Sequence, residues 1–467
     1  MSGDEPIPQL APVGVAVVAV YFAALWGIAL FGRGRDSGGD FFLAGRRLTL
    51  PAFIATLVTT WYGGILGVGE HAWLYGITTW LVFGGTYYLH AILFAFFIAP
   101  KAREGRFINL PDHLEKHYGR TAAVIGAGIL LLLVIPAPYV LMLGTLLQSM
   151  FPIGLGTALV LGAVLSTLYL WRGGFSTVVR TDVLQFVLMF LGFILILGFA
   201  IGRLAPADMP KALPATHLDL FGGQPWSYFG LWLIIAAQTY IEPSIHQRCY
   251  AAATPSTARR GMLGSVGFWV LFDFLTVSTG LYARALIPDL ANPVAAFPAL
   301  AVEVLPPLLA GLAFAGLFAT VMSTVDSYGF LAAITLGRDL FGRLRGTMED
   351  EVTQRWVRIS LLIVAAVSVL LAWTYQTAVG LWIALGSIAT PALLIPVLAG
   401  FWKRRRMERR FAIASMLLAG TGSFGWTLAA QWTHAQGGFL GVEAVFVGLG
   451  LSVLTYIAGL IHAGRSR

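Results

Sequence analysis

The sequence predicts an all-α polytopic membrane protein with about 13 transmembrane helices, and three observations carry that prediction. Hydrophobic residues make up 58% of the 467 positions and charged residues only 11%, against about a quarter charged in a soluble domain. The apolar residues fall in long runs that fit helices crossing a bilayer, each far longer than a barrel strand. Lys and Arg segregate. With the N-terminus outside and the spans alternating, only Arg203, Lys211 and Arg284 of the 30 Lys and Arg fall on the outer side, as the positive-inside rule requires.

The runs cover approximately 13–32, 50–75, 77–100, 121–149, 154–171, 181–203, 226–247, 261–287, 305–337, 356–375, 379–402, 411–431 and 440–463. The first is preceded by Asp4 and Glu5 rather than a basic stretch, so it reads as a retained span and not a cleaved signal. The second carries Thr59-Thr60-Trp61-Tyr62-Gly63-Gly64 at its centre. Paired glycines behind β-branched residues are poor helix formers, which predicts a break that frees backbone carbonyls at mid-membrane depth. Arg248, at the end of the seventh run, is counted among the inner-side loop charges. That seventh run places Gln238, Thr239 and Glu242 in an apolar context and follows them with Pro243. Pro243 lacks an amide donor and turns Glu242 away from helix, predicting a second break. Interrupted spans at matching places in two halves are the mark of a transporter site between inverted repeats. In the ninth run Thr320, Ser323, Thr324 and Ser327 repeat at i, i+3, i+4, i+7. They share one helical face, and with Asp326 nearby that face suggests a small-cation site. The Pro-rich stretch 204–225 is read as an outer loop without assigned structure. The basic run at 403–410 reads as a topology signal after the eleventh span.

Several function classes fall away. Cys249 is the single cysteine, so no intramolecular disulfide or cysteine metal cluster forms. His71, His90, His246 and His434 lack metal-ligand spacing. The net charge of +8 resides in short loops between spans, which argues against a nucleic-acid partner. No nucleotide motif, nucleophile triad or loop long enough for a catalytic domain occurs, so the chain reads as no enzyme, and any active transport is driven by an ion gradient. Five acids lie in or beside spans and count as functional candidates: Glu70, Asp182, Glu242, Asp273 and Asp326. Asp326 lies about 100° around the helix from Ser327 and reads as a hydrogen-bonded acid beside the site rather than a cation ligand.

Six segments, in this order and spacing, resemble the sodium:solute symporter family. They are FFLAGRRLTLP at 41–51, GVGEHAWLYG closing the second span, INLPDHLEKHYGR at 108–120, GGFSTVVRTDVLQFVLM at 173–189, HQRCYAA at 246–252 and MSTVDSYGFLAAITLGRDLF at 322–341. The resemblance implies a LeuT-type five-plus-five inverted repeat within a single membrane transporter domain, 1–467. Residues 48–203 form the first repeat and 226–402 the second. One extra helix, 13–32, precedes them and two, 411–463, follow. It further implies Na⁺ as coupling ion, held by the carbonyls of Val58, Trp61 and Thr320 and the hydroxyls of Ser323 and Thr324. Neutral oxygens suit a hard cation that must also be released. Asp182 matches an acid that serves a second ion or a proton in some relatives. The chain departs from the family at Thr320, where a smaller residue is frequent. It departs again at Thr60, where some relatives carry an acid, and at Gln238, where sugar-transporting relatives place an aromatic.

The solute is expected at the midplane between the two breaks, against Thr59, Thr60, Tyr62, Tyr87, Gln238 and Glu242, with Glu242 favouring a cationic or amine-bearing solute. The expected activity is sodium-coupled import of a small organic solute across the cytoplasmic membrane by alternating access. Proton-coupled symport, a transporter-like solute sensor and a passive channel are the other readings. The expected partners are the solute and the lipid bilayer, with no nucleic acid and no obligatory protein partner.

Overall fold

The computed structural model describes residues 9–31, 38–346, 349–375, 378–402, 404, 407–433 and 438–465. Asp4, Glu5, Arg33, Arg35, Lys403, Arg405, Arg406, His434 and Arg467 lie outside the described residues. Among those described, the chain is helical, and its one isolated β-bridge pairs Leu48 with Ala252. Among the described residues, ten helices are long and apolar enough to cross a membrane. Three expected spans depart from a single straight helix. The fifth joins the sixth in one run, Leu155–Arg203, that bends at Gly174 (φ 56°). A Cβ there would lie 2.4 Å from the Phe41 carbonyl oxygen, so only glycine allows both the bend and the contact. The seventh is broken into pieces, and the eleventh, Ala378–Gly400, carries Pro391 and Pro396 inside it.

The ninth span, Pro307–Ile334, is the mast of the molecule. Every residue from Ala313 to Ile334 is buried, as expected of a helix that is apolar on most faces and enclosed by others. Small residues let its neighbours approach closely: a Cβ on Gly316 would meet the Leu188 carbonyl oxygen at 2.6 Å. One interruption is not anticipated above. The fourth span divides into Arg120–Val134 and Ala137–Gln148, because Pro136 and Pro138 remove amide donors and bias Ile135 (ψ 120°) toward extended backbone.

Both expected breaks occur. The second span is helical over Leu50–Trp61, tightens into a 3₁₀ turn at Tyr62–Gly64 and resumes over Ile65–Tyr75. The seventh is helical over Trp226–Ala236 and 3₁₀ over Ala237–Ile241, is extended at Glu242 (ψ 112°), and restarts at Pro243–Ala251. Proline opens the new helix, and the Glu242 carboxylate caps it by accepting from the Ser244 amide at 3.3 Å. The near ends of the two broken spans are tied together: Leu48 N–H donates to Ala251 O and Ala253 N–H to Leu48 O, both at 3.0 Å. The stretch 204–225 is not featureless. It forms short turns, and the His217 carbonyl accepts from the Ile77 amide at 2.9 Å.

The INLPDHLEKHYGR segment has a structural role. Its helix Leu110–Tyr118 begins with a reciprocal Asn109–Asp112 capping box. Asp112 then receives Arg338 Nη1 at 2.9 Å and also Arg343, both from the far end of the ninth span. Arg343 reaches Glu115 at 3.0 Å, and Asn109 Nδ2 donates to Asp339 at 2.7 Å. Burial alone would raise the Asp112 carboxyl, but Arg338 and Arg343 outweigh it and hold the group below its ordinary value of 3.8. A depressed carboxylate contributes stability above its unfolded pKa and loses it as pH falls through the folded one. Asp112→Asn is therefore expected to lower thermal stability at pH 7. It should also flatten the further loss that the parent protein shows below about pH 4, measured by unfolding in detergent across pH.

Candidate functional site

The break of the second span rests directly on the hydroxyl stripe of the ninth. A Cβ on Gly63 would lie 2.3 Å from Thr324 Cβ, so glycine is what permits the approach. Thr324 Oγ1 donates to the Thr60 carbonyl at 2.8 Å. The Thr60 hydroxyl lies 3.0 Å from Ser327 Oγ and 3.4 Å from Ser323 Oγ. Ser323 Oγ in turn donates to Asp182 Oδ1 at 2.6 Å, and Thr56 donates to the other Asp182 oxygen. Val58 and Thr320 are fully buried beside this junction. The Thr320 hydroxyl is satisfied by the Gly316 carbonyl at 2.7 Å. Trp61 stacks on Trp269 with ring centroids 4.8 Å apart. Asp326 accepts from Ser166 on the fifth span, a neighbouring helix.

Sequence reasoning missed the group at the centre of this junction. Arg248, counted above among inner loop charges, is no loop residue. It belongs to the second half of the seventh span, and its side chain is fully buried. Its Nη2 donates to Thr56 Oγ1 at 3.0 Å and to Thr60 Oγ1 and Ser327 Oγ at 2.7 Å each, and lies 3.8 Å from Asp182 Oδ2. The guanidinium also sits 5.2 Å from the Phe175 ring centre. One cation therefore links the second, sixth, seventh and ninth spans. Loop-charge counting cannot find it, because position alone does not separate a helix-end arginine from one buried a turn or two earlier.

A cavity of about 1470 Å³ runs from the segments around 70–75, 148–153 and 287–295 to the two breaks. Tyr62, Tyr87, Gln238 and Glu242, four of the six expected solute residues, line it. Thr59 and Thr60 do not. The Thr59 hydroxyl is spent on the Ala55 carbonyl at 3.0 Å, and Thr60 is taken by Arg248 and the serines of the ninth span. Glu242 faces the cavity with its carboxylate held by Tyr328 Oη at 2.8 Å and Gln238 Nε2 at 3.4 Å. Asp273 also lines it and accepts from Tyr62 Oη at 2.9 Å and from Tyr88. Tyr139, Tyr328 and Trp382 complete the wall near Glu242. Tyr328 follows Thr324 by four residues, so the stripe's own spacing points to it. Nothing in the sequence marks Tyr139 or Trp382 among the chain's other aromatics. Among the described residues no group of three or more His, Cys, Asp and Glu is arranged to hold a metal ion.

Comparison with known proteins supplies the rest. The chain resembles sodium/myo-inositol cotransporter 2 of Sus scrofa, with 25% identity over 467 residues, covering 87% of this chain and 69% of that protein. It is 25% identical over 477 residues to the sodium/pantothenate symporter of Escherichia coli K12, covering 95% of each. The fold matches that of a Na⁺-coupled sialic acid symporter solved in a substrate-bound outward-open state, with TM-score 0.81 and 18% identity over 97% of this chain and 98% of that one. The all-helical LeuT-type architecture is thus established, as is the multi-pass membrane character. The sodium:solute symporter family model matches residues 41–419. These are transporters that take small solutes with Na⁺ as the coupling ion, and the chain belongs to the sodium:solute symporter family.

Proposed function

We propose that Na⁺ binds where the second span breaks against the ninth, on the carbonyls of Val58, Trp61 and Thr320 and the hydroxyls of Ser323 and Thr324. The solute binds in the adjoining cavity against Tyr62, Tyr87, Gln238 and Glu242. The observation that carries this reading is the junction itself. Thr324 and Ser323 lie within hydrogen-bond reach of the Thr60 backbone and the Asp182 carboxylate, next to the turn at Tyr62–Gly64 that forms one end of the cavity. Neutral oxygens beside a tightened turn fit a cation that must bind and leave. Asp182 acts here as the counter-ion of Arg248 and an orienter of Ser323, and so acts on the Na⁺ site from outside its ligand set.

In this reading the cavity is the extracellular vestibule. The N-terminus is outside, the C-terminus cytoplasmic, and the chain crosses the cytoplasmic membrane 13 times. The repeats run over 48–203 and 226–402, flanked by 13–32 and 411–463. Na⁺ entering from outside favours the outward state, solute binds beside it, and the pair is released inward. Each Na⁺ gains about 2.3 kcal/mol per 100 mV, enough for about fifty-fold solute accumulation per coupled ion. The test is uptake into proteoliposomes of a solute selected by Na⁺-dependent thermal stabilisation. Uptake should follow an inward Na⁺ gradient and an inside-negative potential. Accumulation that ignores both removes the coupling mechanism.

A further inference from the structure

We infer that the solute is a small organic cation, an amine or a quaternary ammonium, held by Glu242 within a box of aromatic rings. The inference rests on the cavity being the solute site.

Three features point to it. First, the cavity wall is one-signed. Glu70, Glu242, Asp273, Asp289 and Glu443 line it, and no Lys or Arg does among the described residues. Low-dielectric walls carrying one sign of charge focus the field and concentrate the opposite ion. A carboxylate-bearing solute would be repelled along the whole path.

Second, Glu242 at the inner end of that path is 2% exposed. Its oxygens accept from Tyr328 Oη, Gln238 Nε2 and the Ser244 amide. All three donors are neutral, and among the described residues no Lys, Arg or His nitrogen comes within ion-pair distance of it. A buried carboxylate with neutral donors alone pays desolvation without a compensating charge. Arg248 acts on Glu242 only through space and makes no ion pair with it, its Nη2 being committed to Thr56, Thr60, Ser327 and Asp182 and its Nη1 to the Ser244 carbonyl.

Third, aromatic rings line the cavity along with the carboxylate, one of them, Tyr328, bonded to it. Tyr139 meets Tyr328 at 5.1 Å between centroids and Trp382 at 5.7 Å, and Trp61 meets Tyr87 at 5.2 Å, all tilted edge to face. All five line the cavity. Several aromatic faces around one site recognise ammonium groups through the ring quadrupole. Thr239 adds a buried hydroxyl on the cavity wall with no hydrogen-bond partner among the described residues, which suits a solute carrying a polar group beside its cationic head. The negative field also draws Na⁺ inward, but Na⁺ takes oxygen ligands rather than a wall of aromatic rings.

The experiment is a thermal-shift titration of the purified full-length protein, with and without Na⁺. The probes are choline, tetramethylammonium and ethanolamine, set against myo-inositol, glucose and acetate. At least one cation should stabilise the protein in Na⁺, and the three controls should not. Glu242→Gln should weaken that response at least tenfold while stabilisation by Na⁺ alone persists as the control for folding. Tyr328→Phe keeps the ring, removes the hydroxyl donor to Glu242 and should weaken it less. It is also the informative variant if Glu242→Gln does not fold. Stabilisation by Na⁺ with no response to any cation overturns the inference. So does a response to the polyols or to acetate in place of the cations, or a cation response unchanged in both variants, and in these cases the Na⁺ site stands. A cation response lost in Glu242→Gln, in a protein that Na⁺ itself does not stabilise, upholds the inference and removes the Na⁺ site instead.

Discussion

Arg248→Ala is expected to destabilise the protein by about 3–5 kcal/mol, the usual cost of removing one partner from a buried ion pair, and to abolish uptake. The substitution leaves the fully buried Asp182 carboxyl without its counter-ion and takes a shared donor from Thr56, Thr60 and Ser327. Those three side chains come from the second and ninth spans, so the damage reaches the junction that holds the proposed Na⁺ site. Asp182→Asn should cost a similar amount for the mirror reason, an unpaired buried guanidinium. Arg248→Ala combined with Asp182→Asn removes both charges and should unfold well above either single variant, because neither ion is left alone. Unfolding midpoints of the four proteins in detergent measure this as a double-mutant cycle. Strict additivity would show that the two charges, 3.8 Å apart, stabilise the fold independently. Even where the double variant recovers its fold, uptake should stay low, because Thr60 and Ser327 still lack their donor.

The contrast between Arg248 and Glu242 shows how far the sequence reaches. Glu242 is legible because the adjacent Pro243 forces a local consequence, an extended residue and a helix restart, at a place where an acid must face something other than lipid. Arg248 sits six residues on with no such local mark. Its partners come from positions 56, 60, 182 and 327, a set that only the packing of four spans assembles. The same logic separates the threonines. Ser323 and Thr324 fall on a stripe whose period reveals a common face, and the break of the second span packs on that face. Thr59 and Thr60 are adjacent and equally polar, yet Thr59 turns back on its own helix while Thr60 bridges to the ninth span. Choosing between those outcomes depends on side-chain rotamers and neighbours, which composition does not encode. The span count shows the same limit. Hydropathy marks the apolar runs, but whether one run is one helix depends on single residues such as Gly174 and Pro136, whose effects are backbone geometry rather than hydrophobicity.

Thr324→Val should raise the Na⁺ concentration for half-maximal uptake by about ten- to a hundredfold. Hydrogen bonds and ligations to charged species are worth about 1.5–3 kcal/mol each, and every 1.4 kcal/mol is about tenfold in affinity. Valine keeps the branched shape that packs against Gly63, so the fold should survive, and the loss reads on the missing hydroxyl. Thr324→Ser restores the oxygen and should restore most of the Na⁺ affinity. Ser323→Ala should behave differently from Thr324→Val, because Ser323 Oγ also donates to Asp182. Removing it raises the Na⁺ requirement and also loosens the buried Asp182–Arg248 pair, so its unfolding midpoint should fall further than that of Thr324→Val, which loses only the bond to the Thr60 carbonyl. Coupling adds a second readout: ion and solute must each improve the other's binding by the same factor. At a fixed, subsaturating Na⁺ concentration Thr324→Val should therefore weaken apparent solute affinity too, and high Na⁺ should rescue it. Half-saturation by Na⁺ unchanged in Thr324→Val removes Thr324 from the ion site. A solute defect that high Na⁺ fails to rescue moves Thr324 from the ion site to the solute site.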